Sequence, residues 1–353
     1  MDYKRELERL VEIVLKEGAS DLHLSAGYRP TIRANSFLVP LTQEIVLSKK
    51  DTEDFLGVLL TADNRKIFLD TMEIDFSYEH RTGIRFRGNA FRAQGGIGIV
   101  MRAIPKHIKT IAELNLPSSL EHFTRRQQGF FLTVGPTGHG KSTTLAAMIQ
   151  MINESQTSHI ITIEDPIEFV YTPVKSIIDQ REVRNDTKDF QSALGSMFRQ
   201  DVDVVLIGEM RNAETMAAAV TAAETGHLVF STLHTNNAAQ TVDRIIDSFP
   251  PNQQQQIRLQ LASSLMGIFS QRLIPRVTGG LIPAYELLVA NNAVSNLIRD
   301  KRTHEINTVV ETGSDDGMID MNRTLAELVR AGEITVENAY SHSLNTKLLD
   351  KYL

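Results

Sequence analysis

The sequence predicts an α/β protein in two parts, an N-terminal α+β domain and a parallel-sheet core that passes into a mainly helical C-terminal region. Three observations predict it. Before about position 105, short runs alternate apolar and polar residues, as half-buried strands do. Beyond Phe123, near-continuous apolar and β-branched runs stand at Phe130–Val134, Ile160–Ile163, Val202–Ile207 and Leu228–Thr232. Helical stretches separate most of them, the pattern of parallel strands covered on both faces. The chain has 353 residues, which at roughly 150 per domain accommodates about two domains.

The elements follow in order. From Tyr3 to Lys16, the residues Leu7, Leu10, Val11, Val14 and Leu15 recur at helical spacing with charges between them, and Gly18 is a stop signal. Ser20-Asp21-Leu22-His23-Leu24-Ser25 alternates as a strand with Leu22 and Leu24 inward. Further strands are expected around Ile74–Tyr78, Ile84–Arg87 and Ile97–Arg102. Pro105 and Pro117 bracket a connector. After Pro250-Pro251 a long helix is expected through Gln253–Gln256 towards Arg272, ending before Pro275, and from about Leu287 helical patterning predominates.

Composition narrows the function classes. The 37 basic and 43 acidic side chains give a formal charge of −6, which excludes a basic nucleic-acid coat or polybasic membrane tether as the dominant feature. Cysteine is absent, so disulfides, thiolate catalysis and cysteine-ligated metal centres are excluded. No apolar run approaches the ~18 residues of a membrane span. The opening MDYKRELERL lacks the apolar centre of a signal peptide, and an untargeted cytoplasmic protein is expected.

The strongest chemical signal is Gly135-Pro136-Thr137-Gly138-His139-Gly140-Lys141-Ser142-Thr143. It fits G-x-x-x-x-G-K-[ST] between an apolar strand and a helix-forming run. Glycines let backbone N–H groups turn inward around phosphate oxygens, the helix start adds positive potential, and Lys141 supplies a point charge. Ser142 offers a hydroxyl to Mg²⁺. A chance glycine-rich loop is the alternative, and the strand–loop–helix context argues against it.

Hydrolysis also needs acids. Ile160–Ile163 runs into Glu164-Asp165-Pro166-Ile167-Glu168, and Val204–Ile207 into Gly208-Glu209. Both place carboxylates beyond strand ends, where ligands of open parallel sheets lie. A carboxylate there can hold Mg²⁺ through water or act as a general base; otherwise it solvates a turn. His234, after Leu228–Thr232, could sense a γ-phosphate, although a lone histidine is more often structural. From His80 to Ala112 there is no acid, yet Arg81, Arg85, Arg87, Arg92, Arg102, Lys106 and Lys109 occur. Arginine fingers, a nucleic-acid surface and a solvated strand face are the three readings. The short Gly96-x-Gly98 is discarded as a dinucleotide fingerprint because no helical run follows.

Taken together these residues resemble the secretion-type ATPases of type IV pilus and type II secretion machines, and within that family its twitching-motility retraction branch. The likeness rests on Gly18–Leu24, the Walker A loop 135–143, an Asp box at Ile163–Glu168, an atypical Walker B at Gly208-Glu209-Met210-Arg211 and a His box spanning Gly226–Thr235. It implies a PAS-like N-terminal domain (1–105), a linker (106–118), a RecA-like P-loop core (119–275) and a helical C-terminal region (276–353). It implies a homohexameric ATP- and Mg²⁺-dependent motor for pilus retraction, partnered by an inner-membrane platform protein and thereby peripheral to the membrane, with no nucleic acid. Carried over by motif, Glu168 is the general base, Glu209 the Walker B acid near Mg²⁺, His234 a γ-phosphate sensor, and Arg87 and Arg102 N-domain arginines. The alternatives are an accessory retraction ATPase, an extension or secretion ATPase and, less in keeping with the motifs, a nucleic-acid translocase. The chain departs from the family at His139 (usually Ser), at Asn212 (usually Asp) and in Ala293–Asp300, which keeps only part of the family's AIRNLIRE motif.

Overall fold

The computed structural model describes residues 2–34, 37–105 and 107–353. Lys106, one of the acid-free basic stretch and the first position of the expected linker, lies outside the described residues. The chain divides into two compact units: Met1–His107 with Pro166–Val170, and Ile108–Asp165 with Tyr171–Leu353.

In the first unit α1 (Tyr3–Lys16) forms where its stripe predicts. The Asp2 carboxylate accepts from the N–H groups of Lys4 and Arg5 at 3.2 and 3.3 Å, satisfying donors that a helix start leaves open. Leu7, Leu10, Val11 and Val14 are fully buried, each stabilising the unit by roughly 1.5–3 kcal/mol. The chain continues through β1 (Asp21–Ser25), β2 (Thr31–Ala34), β3 (Phe37–Pro40), α2 (Lys49–Leu59), α3 (Ala62–Thr71), β4 (Glu73–Glu79), β5 (Arg85–Ala93) and β6 (Gly96–Ala103). The strands form one antiparallel sheet in the order β3-β2-β1-β6-β5-β4. Its buried side carries Leu22, Leu24, Phe86 and Ile99, packed with Phe55 and Phe68 from the helices.

The four expected strands are present. The β2–β3 hairpin and the helices α2 and α3 are additional. β3 is four residues long and exposed throughout, so it shows no alternation to read. α2 carries a reciprocal cap, Ser48 with Asp51 three residues on, which is a readable start signal.

The second unit opens with α4 (Leu120–Thr124) and then alternates: β7 (Gly129–Val134), α5 (Lys141–Ser155), β8 (His159–Glu164), β9 (Ile177–Glu182), α6 (Phe190–Met197), β10 (Val204–Ile207), α7 (Ala213–Glu224), β11 (Leu228–Leu233), α8 (Ala238–Asp247) and α9 (Pro251–Ser264). A hairpin follows, β12 (Leu265–Pro275) and β13 (Leu281–Val289), and then α10 (Asn292–Arg299), α11 (Ile306–Thr312), α12 (Met321–Arg330), α13 (Val336–His342) and α14 (Thr346–Tyr352). The sheet order is β13-β12-β7-β11-β10-β8-β9, parallel from β12 to β9 with β13 antiparallel at one edge. Every residue of β7, β10 and β11 is buried, which is why these strands read as unbroken apolar runs.

The helix expected to run to Arg272 stops at Ser264, and residues 265–275 are strand β12. The helical stripe Ile257, Leu261 continues through Leu265 and Ile268 in sequence, so periodicity alone carries the helix too far. Pairing with β7 on one side and β13 on the other decides the matter. Gly267 marks the close approach: a Cβ there would stand 2.7 Å from the Phe123 ring and 2.9 Å from the Leu288 carbonyl. No helix among the described residues is long and apolar enough to cross a membrane.

Candidate nucleotide site

The loop between β7 and α5 lies at the carboxyl edge of the parallel sheet, where β11 and β12 flank β7. Gly135 (φ +144°) and Gly138 (φ +81°) adopt backbone conformations that side chains disfavour. Lys141, the first residue of α5, is buried and donates from Nζ to the Gly135 and Pro136 carbonyls at 2.8 and 2.9 Å. Ser142 and Thr143 follow it in the first turn of the helix.

Three separate strand ends meet here. His234, directly after β11, places Nδ1 3.4 Å from Lys141 Nζ and 3.3 Å from Thr137 Oγ1. An ammonium only donates, so Nδ1 is the acceptor in the contact with Lys141. Nε2 faces Glu209 Oε2 at 3.6 Å, and Arg211 holds the other oxygen of Glu209. The structure therefore brings together Thr137, Lys141, Glu209 and His234, the first and last of which stand 97 positions apart in sequence.

Of the carboxylates at the end of β8, Glu164, its last residue, is buried and accepts from the Thr162 hydroxyl at 2.7 Å, and Asp165, just beyond, lies 3.6 Å from Arg184. Glu168 belongs to the segment that groups with the first unit, where it accepts from Arg87 Nη1 at 3.0 Å.

In the first unit's sheet Arg87 and Arg102 are direct cross-strand partners on β5 and β6, and Asp21 stands opposite Arg102 on β1. Like charges placed opposite one another are unfavourable. Asp21, 2% exposed, offsets this by accepting from Arg102 Nε at 2.8 Å, and Glu168 does the same for Arg87. The other arginines of the acid-free stretch also have partners: Arg81 pairs with Glu12, Arg85 donates to Ser77, and Arg92 lies over the Phe68 ring. Of these three, Arg85 lies on the half-buried alternating face of β5, as a solvated strand face requires, Arg81 sits in the turn before that strand and Arg92 near its exposed end.

Sequence reasoning missed the contribution of β12. The Leu273 N–H donates to His139 Nδ1 at 2.9 Å, so the unusual P-loop histidine fastens the loop to this strand. Burial, with the nearby Arg272, His342 and Lys141 adding to it, pushes the His139 pKa down and keeps the ring neutral as an acceptor. Thr144 donates to Gln271 across the same seam. The readable trace is a polar Ser-Gln-Arg triplet interrupting an apolar run at Ser270–Arg272. The other departure, Asn212, is the N-cap of α7 and accepts from the Thr215 N–H at 2.9 Å, a task Asp performs equally well.

Glu286 on β13 is buried beneath the start of α8 and accepts from the Ala238 N–H at 2.8 Å. Burial pushes its carboxyl up to about 7. An acid whose folded pKa is raised contributes stability that is complete below its unfolded value and is lost as pH rises through the folded one. Glu286→Gln, which keeps the acceptor, is therefore expected to match wild type below pH ~4.5 and to exceed it by about 3 kcal/mol above neutrality. Denaturant unfolding of both proteins across that range measures the difference.

A buried parallel sheet, a phosphate-type loop at its carboxyl edge and an acid and histidine on neighbouring strand ends define a P-loop nucleotide-binding protein. Residues 3–313 match the family described as "Type II/IV secretion system protein", and the chain belongs to that family. It is 42% identical over 334 residues to the "Type IV pilus retractation ATPase PilT" of Pseudomonas aeruginosa, covering 95% of this chain and 97% of that one. It is 46% identical over 302 residues to a "Twitching motility protein" of Neisseria gonorrhoeae, covering 85% and 81%. The solved structure of "the Pilus Retraction Motor PilT and Bound ADP" superposes with a TM-score of 0.90 at 41% identity, covering 98% of both chains.

Proposed function

We propose that the protein is the ATP-hydrolysing motor of type IV pilus retraction, acting as a homohexameric ring. The observation that carries this reading is the meeting of Lys141, Thr137, His234 and Glu209 at the P-loop, in a chain that aligns nearly end to end with a pilus-retraction ATPase. In this reading the N-terminal region (1–105) is PAS-like, a linker (106–118) joins it to a RecA-like core (119–275), and the C-terminal region (276–353) is mainly helical. The ring works in the cytoplasm, at the inner face of the cytoplasmic membrane, held there by the platform protein of the pilus machine. No nucleic acid takes part.

The chemistry follows from the side chains. The triphosphate lies in the cradle of residues 135–143, and Lys141 exchanges its two carbonyl acceptors for phosphate oxygens. The Ser142 hydroxyl and the Glu209 carboxylate are hard oxygen donors of the kind Mg²⁺ takes, directly or through water. When bound, the ion neutralises charge on the phosphates. Glu168 accepts the proton of the attacking water. Arg87 and Arg102 compensate charge developing on the γ-phosphate. His234, held by Lys141 and Thr137 on one ring nitrogen and facing Glu209 with the other, registers whether that phosphate is present. Its loss on hydrolysis changes which contacts are available, and the ring converts the change into motion.

The deciding experiment is deletion of the gene, scored for surface pili together with phosphate release by the purified protein. Accumulated filaments that do not retract are expected. Bald cells would assign extension instead, and normal retraction with weakened force an accessory role.

A further inference from the structure

The geometry points to Arg272 as a positioning residue of the nucleotide site: it fixes the loop that carries His234 and ties that loop to the end of α13. This rests on the hydrolytic reading above in so far as turnover is concerned. The loop from His234 to Asn237 spans only four residues between β11 and α8. Arg272 Nη2 donates to Asn236 Oδ1 at 3.3 Å, and Nη1 to the carbonyl of His342, the last residue of α13, at 3.1 Å. The same loop is held a second time by the Ser270 hydroxyl, which donates to the Asn236 carbonyl at 2.8 Å.

The register of the β12–β13 hairpin explains how. Ser270 stands opposite Glu286 and Arg272 opposite Ala284, so Ser270, Arg272 and Glu286 share one face. Glu286 accepts from Ala238, the first residue of α8, and its charge supports the Arg272 guanidinium against desolvation. Arg272 Nε is buried without a hydrogen-bond partner among the described residues. A hydrophobic or short polar side chain would avoid that unsatisfied donor; a forked donor reaching two acceptors on different elements is what the position uses. On its other side the histidine loop is tied to α8: the Thr235 and Thr241 hydroxyls stand 2.7 Å apart, the Asn236 N–H donates to Gln240 Oε1 at 3.3 Å, and Asn237 accepts from the Gln240 N–H at 2.8 Å, so Arg272 and Ser270 supply its ties to β12. A shift at Asn236 is passed within two residues to His234, whose ring must stay within hydrogen-bond reach of Thr137 and Lys141. Displacements near 1 Å at such a site lower turnover by about 10²-fold.

The test uses the full chain with Arg272→Ala and Arg272→Lys, alone and combined with His234→Ala. Arg272→Ala is expected to lower kcat at least ~10-fold with KM changed less than ~3-fold. Amide hydrogen exchange at residues 235–239 should rise, and the double variant should turn over no more slowly than His234→Ala alone, because both act through one ring. Arg272→Lys keeps the charge beside Glu286 but not the fork, so it should fold as wild type and still lose several-fold in kcat; it carries the test if the alanine variant does not fold. Wild-type kcat in Arg272→Lys with unchanged exchange at 235–239, or losses that multiply in the double variant, would overturn the assignment. A wild-type protein that releases no phosphate would instead remove the proposed function, and the exchange comparison would still decide the role of Arg272.

Discussion

Lys141→Ala is expected to abolish ATP turnover while leaving the fold intact. The ammonium is buried, with two backbone carbonyls as acceptors and His234 as its neighbour. Hydrogen bonds to neutral acceptors do little more than balance the desolvation of a buried charge. Its removal therefore changes stability little, and thermal melting of the variant should stay close to wild type. Catalysis is another matter. Preorganised positive charge aimed at a phosphoryl group is worth about 10²–10³-fold per donor, and here the same group also fixes Nδ1 of His234. Glu209→Ala provides the contrast. It removes the carboxylate that faces Nε2 and holds Arg211 but leaves the cradle untouched, so nucleotide binding without magnesium should persist while hydrolysis stops. Phosphate release and binding of a fluorescent ADP analogue, measured side by side, separate the two variants. Near-wild-type phosphate release in either one removes the role assigned to that residue.

These expectations could be framed from the sequence because the P-loop, the acids after β8 and β10 and the histidine after β11 each follow an apolar strand directly. In a parallel sheet all such residues fall on one common edge, so the neighbourhood of Lys141, Glu209 and His234 is legible in the order of motifs along the chain. What is not legible depends on contacts distant in sequence. β3 has no buried face to create alternation. β12 continues the apolar spacing of α9, and only its partners β7 and β13 make it a strand. Reading that segment as helix hid Gln271, Arg272 and Leu273, the residues that fasten the P-loop and the histidine loop. Arg87 and Arg102 could be singled out as basic residues in an acid-free stretch, but their pairing across β5 and β6, with Asp21 and Glu168 as counterions, is a matter of register. Glu286, a buried acid in the middle of the apolar strand β13, carries no periodic signal at all.

The same seam makes Gly135 the least replaceable residue of the cradle. Its φ of +144° already excludes most side chains, and a Cβ built there would stand 2.3 Å from the Gln271 carbonyl oxygen. That obstacle is strand backbone, paired with Tyr285 of β13, so it does not move aside as a side-chain tip would. Gly135→Ala must either displace β12 from β7 or flip the first peptide of the loop. Backbone strain of ~1–3 kcal/mol and overpacking of a similar ~1–3 kcal/mol add to a destabilisation of about 2–6 kcal/mol, with nucleotide binding lost as well. Gly138→Ala is the control: φ is +81°, but nothing lies within 4 Å of the added Cβ, so only the left-handed conformation, about 1–2 kcal/mol, opposes it. Denaturant unfolding of the two variants, read with ADP binding, should rank Gly135→Ala well below Gly138→Ala in both. Equal losses would mean that backbone conformation alone governs the loop and that its contact with β12 contributes nothing.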